Sequence, residues 1–251
     1  MALSHSPKIV TDGLVLCLDV ADKKCYSGSG DSITDRAKGH SGGLYNGVSF
    51  VNNSSGGYLN FSASDDYLEF DSVVNDLRFQ PTEPFSVFGW FYNISYGGAL
   101  AANMKSSSPY EGWDLWANTS TTIGMHFIKS WTGNAIKIIT DFNYSSHSNK
   151  WVYFGYTYDG SCPTNATDSK NSVNFYTNAE LTETNKTVAT GDGFDSSSEV
   201  ISYPSGQKFR VGQRYGASAN ATKLGRFEAY NKALTSEEIL QNYNATKGRF
   251  S

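Results

Sequence analysis

Apolar and polar positions alternate along most of this chain with a period of two, the spacing of half-buried β-strands. In GGYLNFSASDDYLEF, Leu59 and Phe61 point one way and Tyr58 and Asn60 the other. Asp65 and Asp66 then turn the chain, and Leu68 and Phe70 alternate with Tyr67 and Glu69, which predicts a hairpin. Continuous apolar runs, 14–18 in GLVLCLDV and 84–94 in PFSVFGWFYNI, predict strands covered on both faces. Shorter strands are expected at 99–102, 112–117, 123–128 and 135–140, followed by WVYFGYTYDGS at 151–161 and a strand at 172–178. KFRVGQR turns Phe209 and Val211 inward. Over 224–230, Phe227 and Ala229 share one face, and Arg226, Glu228 and Tyr230 share the other.

A single stretch carries helical spacing. Thr235 is an N-cap candidate, with Glu238 placed three residues on to complete a capping box. Leu234 and Ile239 make a hydrophobic staple, and Ile239 and Tyr243 follow at i, i+4. This predicts a helix over 235–246 that caps an open end of a sandwich with Ile239, Leu240 and Tyr243. Residues 1–12 read as a polar arm, loosely held or docked on a partner. The long polar stretch 183–206 reads as a lateral contact or a flap. With the tail 247–251, these are the segments free either to dock on a neighbour or to fold back on their own domain. One domain over 1–251 accounts for the whole pattern.

Composition narrows the function classes. With 14% aromatic residues, 18% charged residues and 24 glycines, the profile is that of an all-β, turn-rich protein. A net charge of −4 with no basic cluster argues against nucleic acid as a partner. The chain has no apolar run long enough for a membrane-spanning helix, and residues 1–20 show no signal-peptide pattern. Cys17, Cys25 and Cys162 lack zinc-site spacing and are too few for a disulfide framework, so free, mostly buried thiols are expected.

The string YNKALTSEEILQNYNATKGRF resembles the terminal signature of laminin-G-like, concanavalin A-like jelly rolls. GGYLNFSASDDYLEF, WVYFGYTYDGS and KFRVGQR resemble further strands of that fold, and DSITDRAKGHSGGLYNG resembles one of its loops, with Ile33 in place of the usual Trp. The resemblance covers roughly residues 12–248. It implies an antiparallel jelly-roll sandwich with one short C-terminal helix. The extended ending ILQNYNATKGRF is similar to that of structural proteins of tailed bacteriophages. That likeness implies a non-enzymatic virion protein, a capsid decoration or a tail or fibre appendage. Its partners would be other virion proteins or copies of itself, with host-surface glycan as a further ligand, and its place the virion surface.

Three kinds of chemistry are then in competition. A glycoside hydrolase on this fold would need two carboxyls about 5–5.5 Å apart if retaining, or about 6.5–9.5 Å if inverting. The chain has no E-x-D-x-(x)-E strand; Glu237 and Glu238 belong to the helix, and Asp192 and Asp195 to a loop. His5, His40, His126 and His147 are scattered. Polysaccharide cleavage stays as the alternative function. Calcium is the second option, with Asp19, Asp22, Asp65 and Asp66 as candidate ligands. Relatives of the resembled family keep an Asp before the terminal strand where this chain has Gly225, and Asp65 and Asp66 also serve as turn residues. Glycan binding is the third, with Tyr110, Trp113, Trp116, His126 and Trp131 as candidates beside Asn118, Lys129 and Asn134. Alternation puts Trp113 with Leu115 on one face and Trp116 with Asp114 on the other, so one Trp is core and the other is free to serve as a platform.

Overall fold

The computed structural model describes residues 8–250 except 55, 120, 183, 184, 189–191 and 216; for 144, 145 and 217–219 it describes the backbone alone. Two antiparallel sheets face each other, as the alternation and the resemblance predict. The first runs Glu180–Leu181, Val173–Thr177, Trp151–Tyr158, Phe85–Tyr92, Thr222–Tyr230, Tyr58–Phe61 and Ser49–Val51. Leu14–Asp19 also pairs with Thr222–Tyr230. That terminal strand therefore meets Phe85–Tyr92 along one edge, and Tyr58–Phe61 and Leu14–Asp19 end to end along the other.

The second sheet runs Thr187–Val188, Asn134–Asp141, Thr122–Ser130, Gly112–Thr119, Gly98–Met104, Arg210–Val211, Tyr67–Phe70, Ser41–Tyr45 and Ser32–Thr34. Its outermost strands, like those of the first sheet, are only two or three residues long. Short edges offer little template for pairing with another chain. Between the sheets lies an aromatic core in which Phe79, Trp113, Phe127, Tyr156 and Tyr158 all pack around Phe85.

The helix Ser236–Thr246 forms with the predicted box: Glu238 N–H donates to Thr235 Oγ1 (3.3 Å) and Thr235 N–H to Glu238 Oε2 (3.0 Å). Its position differs from the expectation. It lies across the outer face of the first sheet rather than over an open end. Ile239 packs with Phe88, Trp90, Tyr153 and Tyr230, Tyr243 stacks on Trp90, and Trp90 Nε1–H donates to Thr246 Oγ1. Leu240, expected inside, is 48% exposed. Asn242 takes the buried position instead, because the strand beneath presents Glu228 and Tyr230 OH, and Asn242 Nδ2–H donates to both.

Three further segments fold back on their own domain, the alternative to docking on a neighbour. From Lys8 onward the N-terminal arm folds onto its own domain: Val10 is buried, its N–H donates to Asn242 Oδ1, and Lys8 O accepts from Gln241 Nε2. The first seven residues lie outside the described set. The tail folds back too, with Phe250 stacked on Trp90. In the stretch 183–206, Phe194, Ile201 and Tyr203 are buried, and Tyr203 OH donates to Phe79 O, so that half is built into the core. The structure adds a second short helix, Ala166–Ser172, capped by Asn165, which accepts from Asp168 N–H. Its sequence, ATDSKNS, is polar throughout apart from Ala166 and so carries no helical periodicity to read.

Gly225 has a structural use. A Cβ built there would lie 2.2 Å from Cε1 of Phe250, so the bare backbone is what lets this ring lie on the strand.

Two substitutions separate the cap from the buried network, both read by urea unfolding. Thr235→Ala is expected to cost about 0.5–2 kcal/mol through the lost cap. Asn242→Ala removes a hydrogen bond to a buried carboxylate and should cost about 1.5–3 kcal/mol. Equal stability of Asn242→Ala and wild type would contradict the packing of the helix on this face. At the Asn178-Ala179 turn both residues have positive φ, 53° and 68°. Ala179→Gly is therefore expected to raise the unfolding midpoint, by about 1 kcal/mol of stability.

Candidate functional site

Among the described residues no helix lies over the outer face of the second sheet, and its cross-strand register sets out a row of charged side chains. Glu69 pairs with Arg210, Arg210 with Ala102, Ala102 with Asp114, Asp114 with His126 and His126 with Lys137. Directly opposed residues share a face, so this row lies on one side of the sheet. Glu69 meets Arg210 and Asp114 meets His126 along it, with Ala102 between the two pairs.

Asp114 is fully buried at the centre of the row. Its carboxylate accepts from Arg214 Nε (2.7 Å) and lies 2.5 Å from Arg214 Nη2. It also accepts from the backbone N–H of His126 (3.0 Å), and His126 Nδ1 lies 2.9 Å away. Arg214 Nη2 also stands 3.0 Å from His126 Nδ1. One ring nitrogen cannot donate to the carboxylate and accept from the guanidinium at once. A protonated Nδ1 donates to Asp114, and a bare Nδ1 accepts from Arg214. Burial alone would raise the Asp114 carboxyl; the Arg214 and His126 charges outweigh it and hold the carboxyl below its ordinary range. Glu69 is matched in the same way, 2.6 Å from Arg210 and 3.2 Å from Lys208.

Aromatic rings cover both arginines. The Arg214 guanidinium lies 4.1 Å from the Trp116 ring centre, and Arg210 lies 3.9 Å from Tyr67 and 4.8 Å from Tyr215. Trp116 meets His126 edge-on at 5.8 Å, His126 meets Trp131 at 5.5 Å, and Trp131 meets Tyr110 at 5.2 Å. Four of the five glycan candidates therefore form one continuous belt. Trp131 is its exposed member at 41%, held by Lys137, which lies over the ring and donates from Nζ to Trp131 O. Tyr110 is kept in place with φ at +65°, a conformation a large side chain adopts only at a cost.

The fifth candidate, Trp113, is a core residue. It is fully buried, and its Nε1–H donates to Leu77 O at 2.7 Å, so it has no surface to offer a ligand. Arg210, Arg214, Tyr67 and Tyr215 are members that sequence reasoning misses. The alternation that turns Phe209 and Val211 inward does turn Arg210 outward, but nothing in local spacing links Arg214 to Trp116, almost a hundred positions earlier.

The four metal candidates fall in two places, Asp19 with Asp22 and Asp65 with Asp66. Asp19 sits between Arg226 (2.5 Å) and Arg249 (2.7 Å), and Asp22 pairs with Arg36 (2.8 Å). Asp66 serves its own turn, accepting from the N–H groups of Ser62 (2.7 Å) and Ala63 (3.0 Å); the exposed Asp65 lends its carbonyl to Asn46. Of the other histidines, His40 lies 4.0 Å from Asp76, His147 stacks on Phe142, and His5 is outside the described residues.

Asp114 sets a pH dependence. A carboxyl whose folded pKa is depressed contributes stability above its unfolded value, about 3.9, and that share is lost as pH falls through the folded value. Asp114→Asn strands a buried guanidinium and is expected to cost about 3–5 kcal/mol, a drop in Tm on the order of 10 °C. Its melting curve should also fall less steeply than that of the wild type between about pH 4 and pH 2. A parallel acid limb in the two proteins would count against this assignment. As Asp19 and Asp22 are already neutralised by arginines, EDTA is expected to leave Tm unchanged; a loss restored by calcium would reveal ligands elsewhere.

No protein family and no curated protein matches this chain by sequence. Solved structures do match its fold. The binding domain of botulinum neurotoxin DC in complex with SialylT is 13% identical, with a TM-score of 0.62 over 94% of this chain and 52% of that one. The same figures describe botulinum neurotoxin type C, whose route into cells depends on interaction with two ganglioside molecules. The binding domain of Paraclostridial Mosquitocidal Protein 1 is 16% identical, with a TM-score of 0.62 over 94% and 52%. The chain thus spans about half the length of each, and at these identities the likeness is one of fold: an antiparallel β-sandwich of the kind found in toxin binding domains.

Proposed function

We propose that this chain is a non-catalytic glycan-binding sandwich and that the belt on the outer face of its second sheet takes a neutral sugar. The observation that carries this reading is Trp131, an exposed indole standing on a polar sheet face between Tyr110 and His126. A pyranose ring offers an apolar face to stack on such an indole and hydroxyls for polar neighbours. The acids and bases of the row answer one another, which leaves little unmatched charge for an ionic ligand and favours a neutral one. Glycan contacts of structures sharing the fold, SialylT and gangliosides, lend support to the ligand class.

Against cleavage stands the state of the carboxyls. A glycosidase general acid needs a raised pKa. Asp114, the most buried carboxyl on this face, is shifted the other way, and its partners occupy it. The resemblance of the chain's end to tailed-phage structural proteins supports a place on the virion surface, where such a binder would hold the particle to a host polysaccharide. Attachment there would be to other virion proteins or to copies of itself.

A glycan array identifies the ligand, and titration with that ligand tests the site. Trp131→Ala is expected to weaken binding by tenfold or more, about 1.4 kcal/mol, with Tm nearly unchanged because the side chain is exposed. Undiminished binding by Trp131→Ala would move the site elsewhere. No reducing sugar should appear on prolonged incubation with the bound polysaccharide; its release would turn the reading to hydrolysis. Mass spectrometry of purified virions tests the location, which absence of the chain from particles would refute.

A further inference from the structure

On the opposite side of the molecule, where the C-terminal helix and tail lie on the first sheet, a cleft of about 440 Å³ opens between them and the sheet. Its aromatic wall includes Tyr92, Trp151 and Phe250, and Trp151 is the hub. Trp151 meets Phe250 at 5.0 Å, Tyr92 at 5.4 Å and Tyr58 at 5.6 Å, and it is half-buried. Lys150 and Lys247 line the cleft, and Lys223 lies against its edge, 4.3 Å from the centre of the Tyr92 ring and 5.1 Å from that of Tyr58. Asn149 and Asn178 complete the lining with amide groups, and no Asp or Glu is among the lining residues.

The charges here differ from those on the other sheet. Arg249, also in the lining, is paired with Asp19. Among the described residues, Lys150, Lys223 and Lys247 have no carboxylate partner; Lys150 donates to Ser146 O, and Lys223 and Lys247 lie over tyrosine rings. Two lysines thus line one aromatic cleft and a third stands at its edge, in a chain whose net charge is −4. Like charges gathered without counter-ions repel one another and are relieved by an anion. The aromatic wall asks for an apolar ring face beside that anion, and the amides ask for hydroxyls.

We propose that this cleft is a second binding site, for a carboxylated sugar. The carboxylate lies among the three lysines, and the pyranose ring rests on Trp151. This site is independent of the belt around Trp131, on the other sheet.

Titration of the full chain with tetragalacturonate and with sialyllactose, each beside its carboxyl-reduced form, tests it. At least one acidic sugar is expected to bind, its reduced form about tenfold more weakly or worse, and the acidic form more weakly as salt rises. Combined Lys150→Gln and Lys247→Gln should lower affinity by about tenfold or more, with the melting curve as the check on folding. The charge-matched pair Lys38→Gln and Lys170→Gln, on exposed sites outside the cleft, should bind as wild type does. Inorganic phosphate should fail to displace the sugar, since it has no ring to stack. Binding of neither acidic sugar, equal binding of a reduced form, an unaffected Lys150/Lys247 variant or full displacement by phosphate each overturns the proposal. A neutral-glycan titration of Trp131→Ala, run alongside, reports on the other face, so failure of the belt and failure of the lysine cleft are told apart.

Discussion

A buried ion pair on the outer face of the terminal strand is what joins the beginning and the end of this chain. Glu228 is fully buried, and Arg226 nearly so. Arg226 Nε–H donates to Glu228 Oε1 at 2.5 Å, and Arg226 Nη1 reaches Asp19 on the first strand. Asp19 also takes Arg249 from the tail, while Glu228 takes Tyr230 OH at 2.8 Å and Asn242 Nδ2 from the helix. Desolvation would favour a neutral Arg226, but Glu228, Cys17 and Asp19 together outweigh it and raise the pKa. Taking these charges out of water is costly and is offset only when each lone pair and proton finds a partner. The first strand, the last strand, the helix and the tail each supply one, so a segment that leaves exposes a stranded charge. Cys17 lies in the same place, receiving Arg226 Nη2–H at 3.1 Å, and burial pushes its thiol up to about 12. A thiol kept neutral there is a poor nucleophile, which suits a structural position.

That network also decides which sheet is open. One outer face is closed by the helix, the tail and residues 8–10, whose apolar side chains pack on Phe88, Trp90 and Tyr153. The other outer face has no such cover among the described residues yet still carries Trp116, Trp131, Tyr67 and Tyr215. Tyr110 and Trp116 cover a small apolar cluster of Ala99, Ala102, Met104, Ile128 and Ala135, while Trp131 leaves apolar surface in water. Here Trp116, Tyr67 and Tyr215 are tied to arginines whose charges are already met by Asp114 and Glu69, and Trp131 is held by Lys137, which fixes their orientation before any ligand arrives. Such prior ordering is what lowers the entropic cost of binding.

The strands were legible because their period of two is local information, and the capping box needed only four residues. What lay beyond reading depended on where elements meet. Ile239 and Tyr243 mark an apolar helix face, but the same face fits an open end or a sheet surface. Only the buried Glu228 beneath Asn242 decides between them. Phe194, Ile201 and Tyr203 sit in a stretch whose many polar residues mask three core side chains. In the candidate site, the clustering of aromatics over 110–131 was visible because consecutive strands carry them. Trp113 and Trp116 were separable as core and surface by parity. Arg214 was not, since its partner Asp114 lies 100 positions away.

Net charge misled in a similar way. A value of −4 with scattered lysines offered no basic cluster to read, yet Lys150, Lys223 and Lys247 come together from the start of one strand, the terminal strand and the end of the helix. At physiological ionic strength charges beyond about 8 Å are largely screened. A ligand at the cleft therefore responds to the charges lining it, and the acids elsewhere on the surface count for little. The same reasoning explains how one small sandwich can present two faces of different electrostatic character. On the open sheet, Glu69 is met by Arg210 and Lys208 and Asp114 by Arg214 and His126, so opposite charges cancel within a few ångströms. On the covered sheet Asp19 and Glu228 are taken up by Arg226 and Arg249, and Lys150, Lys223 and Lys247 are left without a carboxylate among the described residues.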